Sequence, residues 1–395
     1  MSAVHPALTD GPIYLDYHAT TPVGPAVIQA IRPYLLGHFG NPSSGYSYAL
    51  PARDALEHAR RQVAALIGAG AAGIVFCGSG SEANNLAIRG TVLAWTVEHP
   101  HVITQVTEHP AVLATCRALQ RLHGVRVTCL PVDGHGLVDP ADLAAAITPD
   151  TVLVSVMTAN NETGVLQPIA ELTRVAHEHG VPVHTDAAQA VGKIPFDIAA
   201  LYVDLCTVVG HKMYAPKGIA ALHVRPGLVI EPVIYGGGQE HGRRAGTENV
   251  AYAAALGAAA QLCADDLAGG EPDRLRGLRD RLHQHLADQL PTPVELNGHP
   301  ERRLPHTLNI SVTGLRGEQL LAATPQVAAS TGSACHTGTT EASPVLRAMG
   351  HEPTRALAAL RLSLGRWSTL DEIEHAGALL STAARNLANH TTRTS

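Results

Sequence analysis

The chain has 395 residues, of which 45% are hydrophobic, 16% charged and 4% aromatic, and its formal net charge is −6. That length exceeds one small core and points to two or three domains, and so few aromatics fit helices packed on a buried parallel sheet better than a β-sandwich. With no dense Lys/Arg run, no membrane-length apolar stretch and no signal-peptide pattern in the first twelve residues, the expectation is no nucleic acid, no membrane and a cytoplasmic location.

In chain order, residues 23–36 predict a helix, 39–44 (FGNPSS) a turn cluster, and 50–67 a helix that stops at Gly68 and Gly70. Apolar runs at 73–77, 102–106, 125–130, 152–157, 181–184, 205–209 and 219–223 then predict seven strands. Helix-length segments at 81–97, 111–122, 139–147 and 167–179 lie between most of them. Strands that are apolar throughout and alternate with helices predict an α/β fold, a mostly parallel sheet covered on both faces. The last two strands are joined too closely for a crossover helix, so they predict one antiparallel pair. A long helical stretch is expected from about 249 to 290. Beyond it, strands at 307–312 and 360–364 mix with helices at 318–323 and 369–388, which predicts a smaller α+β unit. The expected division is a large domain over 15–262 and a small domain made of 1–14 with 263–395.

Five predicted strand ends carry polar groups, and an open α/β sheet binds ligands at that edge. In the run CGSGSEA, residues 77–83, a strand ends, a glycine-rich turn follows and a helix begins, and the backbone amides at that helix start would bind a phosphate. As a dinucleotide fingerprint the run needs an acid at the next strand end, and Glu108 falls about ten residues too late. A single phosphate fits better, with a plain tight turn as the alternative. Asp186 closes a strand, where it would keep a ring nitrogen protonated or simply cap a helix. Lys212 follows another strand. A partly dry site there would lower its pKa and favour imine chemistry, whereas a lysine snorkelling off the strand end would do nothing. His109 could stack on an aromatic ring, and Asn161 sits in a turn; each alone reads as turn chemistry.

The six cysteines include no C-x-x-C pair, and the 23 histidines form no HExxH pair, so no metal site is expected. Cys77, Cys116, Cys129 and Cys206 lie in apolar stretches and read as core residues. Cys335 stands apart in STGSACHTGTT, among small polar residues, where it should be exposed, with His336 beside it to favour the thiolate. Arg361 lies inside an apolar strand and needs a partner, either a substrate carboxylate held bidentately or an internal salt bridge.

The set YHATTP, FGNPSS, GSGSEANNLAI, TEHPAV, ANNETG, HTDAAQAVGK, GHKMYAPKG, GGGQE, AGTENV, STGSACHTG and LRLSLGR resembles the NifS-like cysteine desulfurases and selenocysteine lyases, members of the class V aminotransferase group with PLP fold type I. The resemblance runs from about Tyr14 to Arg366. It implies pyridoxal 5′-phosphate (PLP) as cofactor, bound covalently by Lys212. His109 would stack on its ring, Asp186 pair with the ring nitrogen, and Gln189 and Asn161 bond near the ring oxygen. Gly80, Ser81 and His211 would hold the phosphate, with Thr247 reaching across from a partner subunit, which implies a homodimer. Arg361, helped by Asn41, would hold the substrate carboxylate. The implied reaction converts L-cysteine to L-alanine, with the Cys335 thiolate taking the sulfur as a persulfide for an acceptor protein. Iron–sulfur assembly, tRNA thiolation and a specialised biosynthesis are all compatible uses of that sulfur.

Some positions depart from the desulfurase pattern. Val209 replaces a phosphate-binding Ser, Pro110 follows His109, and Ala334-Cys335-His336 is closer to the lyases, which makes release of selenium from L-selenocysteine the alternative reaction. The exposed thiol argues against a transaminase, and the retained Lys212 argues against a non-catalytic sulfur relay.

Overall fold

The computed structural model describes residues 4–332 and 341–394. Its strands in chain order are β1 (Ile13–Tyr14), β2 (Ile74–Cys77), β3 (His101–Gln105), β4 (Arg126–Leu130), β5 (Thr151–Ser155), β6 (Val183–Asp186), β7 (Leu205–Val209), β8 (Ala220–Val224), β9 (Val294–Leu296), β10 (Thr307–Val312), β11 (Val327–Ala328) and β12 (Ala359–Ser363). The seven runs expected as strands form one sheet in the order β2-β8-β7-β6-β5-β3-β4. β8 is antiparallel to both its neighbours and the other pairings are parallel. The link from β7 to β8 is too short for a crossover helix, so the chain must turn back there.

Side chains of this sheet alternate between two cores. Ile74 and Phe76 of β2 join one apolar cluster, with the helices Leu50–Leu66 and Val250–Ala268. Val75 and Cys77 join the other, with Gly80–Ala94 and Pro110–His123. Both faces are therefore covered, and six of the seven strands are buried along their whole length. The exception is the edge strand β4, where Cys129 is exposed. This corrects the expectation of a core residue: β2, at the opposite edge, is buried throughout, whereas β4 is left partly uncovered, and a local apolar run does not reveal which edge the fold covers.

The stretch expected as one helix from about 249 to 290 is two, Val250–Ala268 and Glu271–Gln289. They break at Gly269 and Gly270, the latter with φ +80°, and Pro272 opens the second helix. That second helix packs with Leu370–Thr394 over a three-stranded antiparallel sheet, β12-β10-β9, around Leu308, Ile310, Leu360 and Leu362. Leu15 belongs to the same cluster. β1 pairs with β11 in parallel, and Asp16 bridges to Ser363, so residues 13–18 run alongside the smaller sheet before entering the edge of the larger one.

Candidate active site

Because β2, β3, β5, β6 and β7 point the same way, their carboxyl ends share one edge, and the polar groups that follow them converge there. After β2 the chain turns into the helix Gly80–Ala94. The Ser79 hydroxyl accepts from the Glu82 amide at 3.1 Å, which caps the helix and turns the first amides toward the edge. Gly80 is required: a Cβ there would come within 2.6 Å of Val209 Cγ2 at the end of β7. Asp186, the last residue of β6, accepts from Asn84 Nδ2 at 2.7 Å and from the Ala188 amide at 3.0 Å. Both donors are neutral, so they hold the carboxylate in place without cancelling its charge.

His109 accepts from the Ala111 amide through Nδ1 at 3.1 Å, which puts the proton of the neutral ring on Nε2. Its pKa is lowered by burial and by Lys212, and Asp186 opposes the shift, so His109 lies within electrostatic reach of both. His211 bonds through Nδ1 to Thr20 Oγ1 at 3.1 Å. Its pKa is pushed down to about 4 by burial, then by Lys212, Lys217 and His109, so the ring is neutral at physiological pH. Lys212 donates to the main-chain oxygens of His18 at 2.5 Å and Ala19 at 2.8 Å, and Gln189 Nε2 donates to the same His18 oxygen at 3.1 Å. The N-terminal segment, quoted above only as a motif, thus forms the floor under the lysine.

Arg361, on β12, reaches the same place from the smaller sheet. It is 1% exposed and donates through Nη2 to Asp16 at 2.7 Å and through Nη1 to the Asn161 carbonyl at 3.0 Å. Nε has no partner. The internal salt bridge anticipated for this arginine is present, and one donor remains unmet. An unmet buried donor costs about 1–3 kcal/mol, so the site is polarised for an incoming acceptor.

A cavity of about 620 Å³ opens beside these groups. Asp16, Glu108 and Asn161 line it, together with Gly332 and Glu341, which flank residues 333–340. Cys335 lies outside the described residues. Asn41 and Thr247 are not gathered with the rest: both are exposed, Asn41 in a turn in which its side chain accepts from the Ser43 amide. Asp16, His18, Asn84 and Glu108 are the site residues that sequence reasoning gave no role. The conspicuous one is Glu108, fully buried, with Oε1 accepting from the Met157 amide and from Gln105. Among the described residues, no group of three or more His, Cys, Asp or Glu is placed to hold a metal ion, and no helix is long and apolar enough to cross a membrane.

A helix-covered, mostly parallel sheet with a lysine and an aspartate on neighbouring strand ends is the architecture of a known enzyme class, and a family model described as aminotransferase class-V matches residues 13–375. The chain belongs to the class V aminotransferase family. Relatives sharing most of its length carry a narrower name. It is 45% identical over 379 residues to the cysteine desulfurase IscS of Anaeromyxobacter dehalogenans (strain 2CP-C), which covers 95% of this chain and 93% of that one. It is 43% identical over 367 residues to the cysteine desulfurase of Homo sapiens, covering 92% and 80%. Among solved structures it matches a NifS-like protein with a TM-score of 0.87 at 31% identity, covering 95% of this chain and 99% of that one. It also matches SspA in complex with cysteine, with a TM-score of 0.79 at 34% identity, covering 89% and 98%. The expected fold type is the one these structures share.

Proposed function

We propose that the chain is a PLP-dependent cysteine desulfurase that converts L-cysteine to L-alanine and passes the sulfur to Cys335. The observation that carries this reading is the pairing of Lys212 with a buried arginine whose Nε is unmet among the described residues, one group suited to holding PLP through an imine and the other to an α-carboxylate.

The residues present fit PLP. The helix beginning at Gly80 offers first-turn amides to a phosphate, with Ser81 and the N–H of a neutral His211 beside them. Asp186 presents a fixed, uncancelled carboxylate to a ring nitrogen, and His109 stands within range of both Asp186 and Lys212. Gln189 and Asn161 would bond near the ring oxygen. When bound, PLP supplies an electron sink for charge that develops at the substrate α-carbon. Lys212 holds the cofactor and then moves the α-proton. Arg361 fixes the substrate carboxylate. The Cys335 thiolate attacks the substrate sulfur. A sulfur–sulfur bond forms, the Cβ–S bond breaks, and Cβ gains a proton, so cysteine plus a thiol become alanine plus a persulfide without an outside oxidant. An acceptor protein removes that sulfur.

The reading includes a homodimer. Leu36 (76% exposed) and Phe39 (79%) border Asn41, and Tyr235 (70%) lies on the segment that leads to Thr247. Large apolar side chains exposed beside both outlying site residues fit a face covered by a second copy, with Thr247 completing the partner's phosphate site. The test is to incubate the PLP-loaded protein with L-cysteine, and in parallel with L-selenocysteine, and to follow alanine release and the mass of the peptide containing Cys335. One added sulfur atom on that peptide is expected. Normal alanine release without the adduct would overturn the transfer to Cys335.

A further inference from the structure

His18 is 1% exposed and makes contact with both halves of the site. Its ring Nδ1 lies 2.9 Å from the Asn161 carbonyl, and its Nε2 lies 2.6 Å from Thr307 Oγ1. A carbonyl only accepts, so Nδ1 carries the hydrogen; Nε2 of the neutral ring then accepts from the threonine hydroxyl. The ring is held neutral by burial and by Arg361. The same Asn161 carbonyl accepts from Arg361 Nη1 at 3.0 Å, so its two lone pairs are filled by His18 from one side and by the arginine from the other. Meanwhile the main-chain oxygen of His18 accepts from Lys212 at 2.5 Å and from Gln189 at 3.1 Å.

From this geometry we infer that His18 is a positioning residue whose ring, through the Asn161 carbonyl, sets the distance and angle between the Lys212 amine and the Arg361 guanidinium. The inference rests on the roles proposed above for those two residues. Arg361 would take the substrate carboxylate and the cofactor held by Lys212 its nitrogen, and an α-amino acid has a fixed span between the two, so a shift of the arginine against the lysine weakens substrate binding before it affects proton transfer. Thr307 fixes the tautomer, the Nδ1 hydrogen fixes the Asn161 peptide, and that peptide fixes the arginine. Lys212 is fixed by the main chain of His18, which no side-chain substitution removes.

The variants that separate these links are His18→Asn, His18→Leu and His18→Gln. Asparagine places an N–H where Nδ1–H lies, glutamine reaches only the position of Nε2, and leucine offers neither. Each is assayed for melting temperature, for PLP affinity of the apoprotein by absorbance titration, and for KM and kcat in alanine release from L-cysteine. In His18→Leu and His18→Gln, the expected result is unchanged PLP affinity, KM raised about tenfold or more, and kcat within about threefold of the parent. His18→Asn is expected to return KM to within about threefold of the parent. A parental KM in His18→Leu, or equal KM values in His18→Asn and His18→Gln, overturns the inference; the second comparison decides the matter if the leucine variant does not fold. A parent protein that releases no alanine overturns the desulfurase reading instead, which keeps the two failures apart.

Discussion

Asp186 and Asp204 are buried carboxylates on neighbouring parallel strands, at opposite ends of the same sheet. Asp204, just before β7, has a side chain with 0% exposure, and its charge is answered: Arg225 Nε lies at 2.5 Å, His177 Nε2 at 2.9 Å, and the Val183 amide donates at 2.7 Å. Asp186, closing β6, is held by two neutral donors. The cavities at the two ends are of similar size, about 720 Å³ beside Asp204 and about 620 Å³ at the other end. Size therefore does not locate the chemistry. The working end is the one where charges and donors have been left for something else to complete, and the closed end is where the fold is pinned.

The strongest way to break this contrast is at Lys212. Lys212→Ala should abolish the coloured protein–cofactor adduct and lower alanine release by about three orders of magnitude or more, while the melting temperature of the apoprotein changes little. The absorption spectrum and steady-state assay check this; a variant that keeps both colour and turnover would place the chemistry elsewhere. At the closed end the signs reverse. Asp204→Asn removes a countercharge and sets an amide against donors. The cost should be about 2 kcal/mol, short of a fully buried pair because Arg225 is 56% exposed and keeps its water. Melting should fall by a few degrees, with kcat/KM for cysteine unchanged. A loss of turnover without a loss of stability would show that the far cavity takes part in the reaction.

The contrast between the two ends was partly readable in the sequence. Lys212, Asp186 and His109 each follow an apolar run, and strands that alternate with helices must lie parallel, so their ends had to meet. Asp204 also borders an apolar run, but at its start rather than its finish, and the direction of the sheet separates the two roles. What stayed hidden was the floor of the site. β1 is two residues long and has no periodicity to detect, and the contribution of His18 to Lys212 is a main-chain oxygen, which no residue type reveals. The break at Gly269 and Gly270 was visible as a glycine pair, but the helical pattern on both sides concealed it. Arg361 could be read as a clamp or as a salt bridge, and the structure shows why: Asp16 takes Nη2 while Nε stays open.

Glu108 offers the sharpest test of incomplete compensation at the working end. Its pKa is pushed up to about 8 by burial first, with the Met157 amide opposing and Asp186 adding to the rise. Among the described residues, Oε2 has no partner. Between the ordinary glutamate value and about 8, the unfolded chain has released this proton and the folded chain has not. The folded state then binds more protons, and stability must fall as pH rises through that window, by at most about 1.4 kcal/mol per pH unit. Glu108→Gln keeps an acceptor for the Met157 amide and for Gln105 but cannot ionise. Parent and variant should melt alike near about pH 5, and the variant should melt increasingly higher than the parent toward about pH 8. Parallel melting curves across that range would mean that Glu108 is already ionised in the fold and that a countercharge reaches it after all.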